Sequence, residues 1–504
     1  MPPKLCRLQG ATTTPPSPPP APASLAGAWR PWPAGLEGVV VPELRKQLRI
    51  TLPLAATNLA WFAKTTITTM FLGRLGELQL AGGMLGFTFA NVTGISVLTG
   101  LCGAMDPICG QAYGAGNYRL LHKTLLMATL LLLAAAAPIS LLWLNVDKFL
   151  VGVGQQEDIS RLAKVYVIYL LPDLAATSFL CPLKAYLTSQ GVTLPILFSS
   201  AAALALHVPI TVLLSRAWGL AGVATAVWLS DLAMAIMLAA YVVVAETRTK
   251  AAEGGGWWEL QRLGDWLQLL RLSGPCCLTT CLEWWCYEIL VLLTGRLPDA
   301  RRMVAAIAVV LNFDYLLFAV MLSLGTCAST RVSNELGAGK ALVARRSAYV
   351  SLGVSLVAGC LGCSAMAGAR GWWGPLYSHD ARVVDTVRRM MLLMALVEVV
   401  NYPLTVCGGI VRGTARPWLG MYASLGGFYL VALPLGSALA FRVGLGLGGL
   451  LLGILVGVFT TAAVLLLLVS RIDWLAEACK AQVLVGESIT AVEGGHEQAE
   501  ETNA

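Results

Sequence analysis

Residues 271–293 read RLSGPCCLTTCLEWWCYEILVLL. The stretch is long and apolar enough to cross a bilayer as a helix of roughly 20 residues, yet it carries two carboxylates, Glu283 and Glu288, in its middle. A charge at bilayer depth costs at least ~2.5 kcal/mol, so an acid kept there is a functional candidate that faces a cavity or a partner. The opening of the stretch also repeats something earlier in the chain: L-R-L-S-G-P at Leu270–Pro275 matches L-R-I-T-L-P at Leu48–Pro53.

Outward from that stretch, the solvent of the whole chain is plain. Hydrophobic residues make up 57% of the 504 and charged residues only 12%, with a mean hydropathy of +0.71. Those values lie outside the range of soluble domains and predict an all-α polytopic membrane protein. Apolar windows predict twelve transmembrane helices, at 50–72, 84–106, 121–143, 163–186, 194–215, 219–245, 267–294, 303–327, 347–369, 387–411, 418–440 and 444–469. The net charge of +7 does not signal nucleic acid, because the Lys and Arg residues are biased towards the side of the termini. By the positive-inside rule both termini are expected in the cytosol. The thirteen Cys, an odd number lying mostly in apolar spans, read as small packing residues rather than a disulfide framework. No metal is expected: Cys360 and Cys363 lack a second pair or a nearby His, and His122, His207, His379 and His496 are scattered.

The repeat extends over the whole apolar region. Gly114–Gly116 in CGQAYGAGNY and Gly337–Gly339 in VSNELGAGKA are offset by 223. Gly191 stands four residues before Pro195, as Gly413 stands four before Pro417, and G-L-x-G opens both the sixth span at Gly219 and the twelfth at Gly446. Six spans per copy is an even number, so both copies start on the same side of the membrane. The pattern is a parallel repeat of two pseudo-symmetric six-helix lobes about an axis along the membrane normal, an architecture of secondary transporters. The expected organisation is a disordered Pro/Ala-rich cytoplasmic arm at 1–40, a first lobe at 41–245, a cytoplasmic linker at 246–266, a second lobe at 267–475 and a disordered cytoplasmic tail at 476–504. In the linker, Trp257, Trp258 and Trp266 read as interfacial anchors.

Five landmarks in order, LGELQLAGG (Leu75–Gly83), CGQAYGAG, CLEWWCYE (Cys281–Glu288), STRVSNELGAG (Ser329–Gly339) and VRGTARP (Val411–Pro417), resemble the multidrug and toxic compound extrusion (MATE) family in its plant-type branch. The resemblance covers about residues 43 to 475. It implies two lobes around a central cleft and cation-coupled antiport of organic solutes, with H+ the usual coupling ion in eukaryotic members. Glu283 and Glu288 match the family's pair of acids in the seventh helix. At Asn401, eleven residues before the Arg of V-R-G-T, many relatives carry an acid; here the acid is Glu398, one turn earlier.

These residues form the expected proton-coupling set: Glu283, Glu288, Glu398, Asn401 and Asp314. An acid in that role releases a proton to one side and takes one from the other near neutral pH, which desolvation in an apolar lobe makes possible. Five residues on a helix subtend about 140°, so Glu283 and Glu288 do not share a face. Pro403, in the same span as Glu398, removes a backbone hydrogen bond and permits a bend. Trp284, Trp285, Tyr287, Phe313, Tyr315 and Tyr402 are the substrate-cleft candidates, offering π faces to flat or cationic molecules. Lys64, inside the first span, is expected to pair with a carboxylate or reach an interface, and it disfavours a Na+ site in the first lobe. Asp173 and Asp231 read as helix-holding charges as much as functional ones.

The expected function is therefore a secondary active transporter, a proton-coupled antiporter that extrudes xenobiotics, secondary metabolites or hormones by alternating access. It takes no cofactor, partners a small organic solute and the lipid bilayer, binds no nucleic acid and works as a monomer. Its membrane is the plasma membrane or an endomembrane of vacuole, Golgi or endosome. A lipid-linked precursor flippase is the alternative, and it requires a basic cleft that the spans do not supply. A receptor or embedded enzyme leaves the duplication unexplained. CGQAYGAG lacks the G-K-[ST] of a phosphate-binding loop, which disfavours an ATP-driven pump.

Overall fold

A computed structural model of the chain describes residues 36–248, 263–483 and 485. The disordered arm expected at 1–40 falls largely outside these residues, as do Trp257, Trp258 and most of the tail. The account below concerns the large unit Glu43–Ala504.

Among the described residues the chain is helical. α1 is Leu36–Leu75, α2 Glu77–Gly114 and α3 Tyr118–Leu144. α4 is the pair Glu157–Leu170 and Pro172–Ser189, bent by 49° where Pro172 interrupts the backbone ladder. Leu194–Arg248 breaks at Gly219 (φ 56°) into α5, 194–218, and α6, 220–248. The second set is α7 Leu263–Thr294, α8 Ala300–Gly337, α9 Ala341–Ala369, α10 Ala381–Gly413, α11 Pro417–Arg442 and α12 Gly446–Ser470. Nine helical stretches are long and apolar enough to cross a membrane, and the bent pair makes ten. The break at Gly219 divides one of them in two, and α1, whose apolar window is made more polar by Asn58, Lys64 and its threonines, completes twelve among the described residues.

Each set builds its own apolar core. One core draws on residues 50–242, with Cys327 from α8, and the other on residues 286–481. Large apolar side chains such as Leu213, Leu292, Leu361 and Leu430 point outward from both, as a protein solvated by hydrocarbon requires.

The repeated glycines have matching jobs. Gly116 and Gly339 take φ of 75° and 71°, and Gly219 and Gly446 both take 56°, a left-handed backbone that disfavours any residue with a Cβ. The contact between lobes is reciprocal: a Cβ on Gly114 would lie 2.0 Å from the carbonyl O of Asn334, and one on Gly337 would lie 2.1 Å from that of Gln111. Gln111 and Asn334 are themselves repeat equivalents. Gln111 Nε2 donates to Gly413 O (3.3 Å) at the end of α10, and Asn334 Nδ2 donates to Ser189 O (2.9 Å) at the end of α4. Each lobe thus grips the fourth helix of the other. Ion pairs reinforce the grip at the same end: Asp106 with Arg412 at 2.9 Å, Lys123 with Asp265 at 2.5 Å, and Glu43 with Arg331 at 2.9 Å, the last held also by Glu335 of its own helix (2.7 Å).

Two boundaries differ from expectation. Helix begins at Leu36, inside the predicted arm. The chain also stays folded past 475: residues 474–483 are helical, with Trp474, Ala478 and Ala481 buried and Glu477 paired with Arg416 and Lys480. Spaced apolar residues in a polar segment were enough to dock it. In the linker, Trp266 belongs to α7 and packs, half-buried, on Ala104, Ile108, Met127 and Leu269.

Candidate functional site

The second lobe holds a cluster of acids without a counter-charge. α8 and α10 approach closely because Gly325 and Gly409 face each other, with a Cβ on Gly409 only 2.1 Å from Gly325 O. That approach sets Asp314 of α8 near Glu398 and Asn401 of α10. Glu398 is 0% exposed, and its carboxyl lies within hydrogen-bonding reach of the Asp314 carboxyl and the Asn401 side chain. Asn401 is buried with its Oδ1 unpartnered, Asp314 is buried at 8% exposure, and the Tyr287 hydroxyl from α7 is buried without a partner beside them. Glu283 lies half-buried on α7, within electrostatic range of Asp314 and of Arg412. Arg412 is already engaged by Asp106. Among the described residues no Lys or Arg forms an ion pair with Glu283, Glu288, Asp314 or Glu398.

Pro403 sits in α10 five residues after Glu398. It has no N–H to give to Val399 O. Gly359 of α9 lies against that freed carbonyl and against Glu398 O, each 3.2 Å from where its Cβ would be. The backbone beside the acid is therefore less tightly tied than the rest of the helix.

The remaining candidates separate. Glu288 is half-buried on another side of α7, near Tyr315, which is 48% exposed. Trp284 is half-buried. Trp285 reaches across to the first lobe, where its Nε1 donates to Val92 O at 3.1 Å. Val92 lies in a π-turn at Asn91–Ile95 of α2, the kind of local unwinding that frees carbonyls for outside partners. Two of the expected cleft residues are buried. Phe313 is buried edge-on against Trp373, with ring centres 5.0 Å apart. Tyr402 is 2% exposed, packs on Gly359 and Gly362 and donates its hydroxyl to Leu317 O at 3.1 Å. Both serve the lobe interior, because their stretches of α8 and α10 face inward. The acids also line neither of two cavities, of about 330 and 820 Å³, at the terminus end of the first lobe.

The first lobe carries a polar cluster of another kind. Lys64 Nζ lies 2.6 Å from both carboxylate oxygens of Asp231 on α6. Asp173, buried at the bend of α4 with Oδ1 unpartnered, and Lys184 lie within electrostatic range of this pair. His207 of α5 is 0% exposed; Nε2 meets Thr68 Oγ1 at 3.1 Å and Nδ1 meets Ser230 Oγ at 3.2 Å. Lys64, Asp173 and Asp231 were visible as charges within spans. The parts of His207, Thr68 and Lys184 were not, since each is ordinary in sequence and acquires its role only through helix packing.

Comparison with known proteins gives consistent results. The family described as MatE matches residues 53–213 and again 275–437, one match per lobe. Protein DETOXIFICATION 56 of Arabidopsis thaliana is 60% identical over 88% of this chain and 91% of its own length, and Protein DETOXIFICATION 48 of the same plant is 38% identical over 91% and 85%. The crystal structure of the eukaryotic MATE transporter AtDTX14 superposes with a TM-score of 0.83 at 31% identity, covering 88% of this chain and 99% of that one. The Vibrio cholerae MATE transporter VcmN in the bent form shares the fold at a TM-score of 0.74 and 16% identity, over 89% and 100% of the two chains.

Proposed function

The chain belongs to the MatE family of membrane transporters, and from that premise we propose that it is a proton-coupled antiporter whose coupling site is the acid cluster of the second lobe. It is a multi-pass integral membrane protein that transports rather than catalyses, and MATE transporters move small organic solutes across membranes. The observation that carries the coupling proposal is Glu398: a carboxyl group removed from solvent, with Asp314 and Asn401 beside it and, among the described residues, no ion-paired cation. Negative charge gathered there without a cation is costly. The ligand that relieves it in this reading is a proton.

Protons entering from one side neutralise Glu398, Asp314 and Glu283. Loss of a proton restores the charge and favours an arrangement in which the acids reach water. Pro403 gives α10 the freedom to move between these two arrangements. Asn401, which does not titrate, supports Glu398 as the acid that takes the family's usual place. Glu288 lies at the margin of the set. Glu283, Trp284, Tyr287 and Tyr315 line the route for a flat or cationic organic solute, so that proton and solute compete for the same lobe.

With both termini in the cytosol, the polar grip between lobes closes the cytosolic end. The membrane is the plasma membrane or an endomembrane, and the working unit is a monomer. The test is efflux from proteoliposomes under an imposed pH gradient, with a panel of organic cations, flavonoid-like metabolites and hormones. Glu283→Gln and Glu398→Gln are each expected to reduce gradient-driven efflux to the rate seen without a gradient, with an unchanged gel-filtration profile. Efflux that persists in Glu398→Gln, or that follows a Na+ gradient instead, overturns the assignment.

A further inference from the structure

The larger of the two cavities is a groove of about 820 Å³ at the terminus end of the first lobe, between the start of α1 and the start of α5. Its volume is within the range of ~300–1,000 Å³ that ligand sites occupy. Arg45 and Arg49 stand at its polar end, one helical turn apart on one face of α1. Both are exposed, and among the described residues neither has a hydrogen-bonded or ion-paired acid. The contrast with Arg331 and Arg412 on the same side is plain, since those two are paired. Below the arginines the walls are apolar. Leu52, Leu194 and Phe198 are 62%, 56% and 68% exposed. Thr193 Oγ1 donates to Arg49 O at 3.3 Å, tying the turn before α5 to α1.

We infer that this groove is a binding site for one anionic glycerophospholipid, with its phosphate between Arg45 and Arg49 and an acyl chain along Leu52, Leu194 and Phe198. Two free guanidiniums above an apolar channel match a ligand that is anionic at one end and hydrocarbon at the other. Guanidinium suits phosphate through paired N–H donors. In the orientation proposed above, the groove opens to the cytoplasmic leaflet, which carries the anionic lipids, and basic pockets between helices on that side bind such headgroups. A zwitterionic lipid fits the channel but brings a cationic group to the arginines, and a free phosphate lacks the chain.

The test uses the purified full-length protein, delipidated in neutral detergent and titrated with dioleoyl phosphatidylglycerol, dioleoyl phosphatidylcholine or glycerol phosphate, with thermal stability as the readout. Phosphatidylglycerol is expected to raise the melting temperature saturably, and the other two are not. Arg45→Gln with Arg49→Gln is expected to weaken the phosphatidylglycerol response about thirtyfold. A photoactivatable phosphatidylglycerol on the unaltered protein is expected to label residues 45–53 or 194–198, which decides the matter even if the double variant fails to fold. Equal responses to the two lipids, a response to glycerol phosphate alone, or labelling spread evenly over the lipid-facing helices overturns the inference.

Discussion

The two lobes solve the problem of buried charge in opposite ways. In the first, Lys64 and Asp231 meet at 2.6 Å, with Lys184 and Asp173 close by, so that positive and negative groups balance. In the second, Asp314, Glu398 and Glu283 gather with no cation of their own. The lobes share helix order and glycine turns, and the difference in how charge is buried lies in the side chains. A balanced cluster is locked by its own Coulomb energy, whereas an unbalanced one waits for a proton. The comparison teaches that duplication supplied two equivalent frames, of which one is specialised for holding and the other for exchange.

Removing one partner from the balanced cluster has the largest expected effect. Asp231→Asn leaves Lys64 charged and buried, and is expected to cost about 3–5 kcal/mol of stability, read as a lower melting temperature in detergent. Replacing both, Lys64→Met with Asp231→Leu, is expected to recover most of that loss, because an apolar pair of similar volume tolerates the site. A single variant as stable as the wild type breaks the comparison.

For the unbalanced cluster the expectation is reversed. Glu398→Gln keeps shape and removes the charge, so stability is expected to stay within about 1 kcal/mol of wild type while coupling is lost. Moving the acid by one turn, Glu398→Gln with Asn401→Asp, is expected to restore pH-gradient-driven efflux in part, since the two positions lie three residues apart on adjoining faces. No recovery means that the site needs its carboxyl at 398 in particular. The smallest effect belongs to Tyr402→Phe, which removes the bond to Leu317 O and is expected to cost about 1 kcal/mol with efflux unchanged, as befits a residue of the lobe interior.

Much of this was legible in the chain. Twelve apolar windows became twelve helices because hydrocarbon forces every backbone group into internal bonds, leaving helix the ready solution for each window. The glycine landmarks were legible because a left-handed turn or a close backbone contact admits little else, as at Gly116, Gly339, Gly114 and Gly337. The acids of α7 and α10 stood out against the cost of burying charge. The burial of Phe313 and Tyr402 was not legible because an aromatic ring serves a cleft or a core equally well, and only neighbours such as Trp373 and Gly362 set its exposure. The helix at 474–483 was missed for a related reason, since its few apolar residues gain nothing until Arg416 and the lobe are there to receive them.

What the order of residues determined alone is whatever depends on a single segment and its solvent: the membrane, the helices, the duplication, and the places where charge or glycine is too costly to be accidental. What only the tertiary structure decided is pairing. Lys64 with Asp231, Glu398 with no cation, and the reciprocal clasp of Gln111 and Asn334 join residues 167, 302 and 145 positions apart or leave one without a match. Contact energy falls off within a few ångströms, so it is set by packing in space, and no local pattern in the chain encodes which distant side chain will arrive.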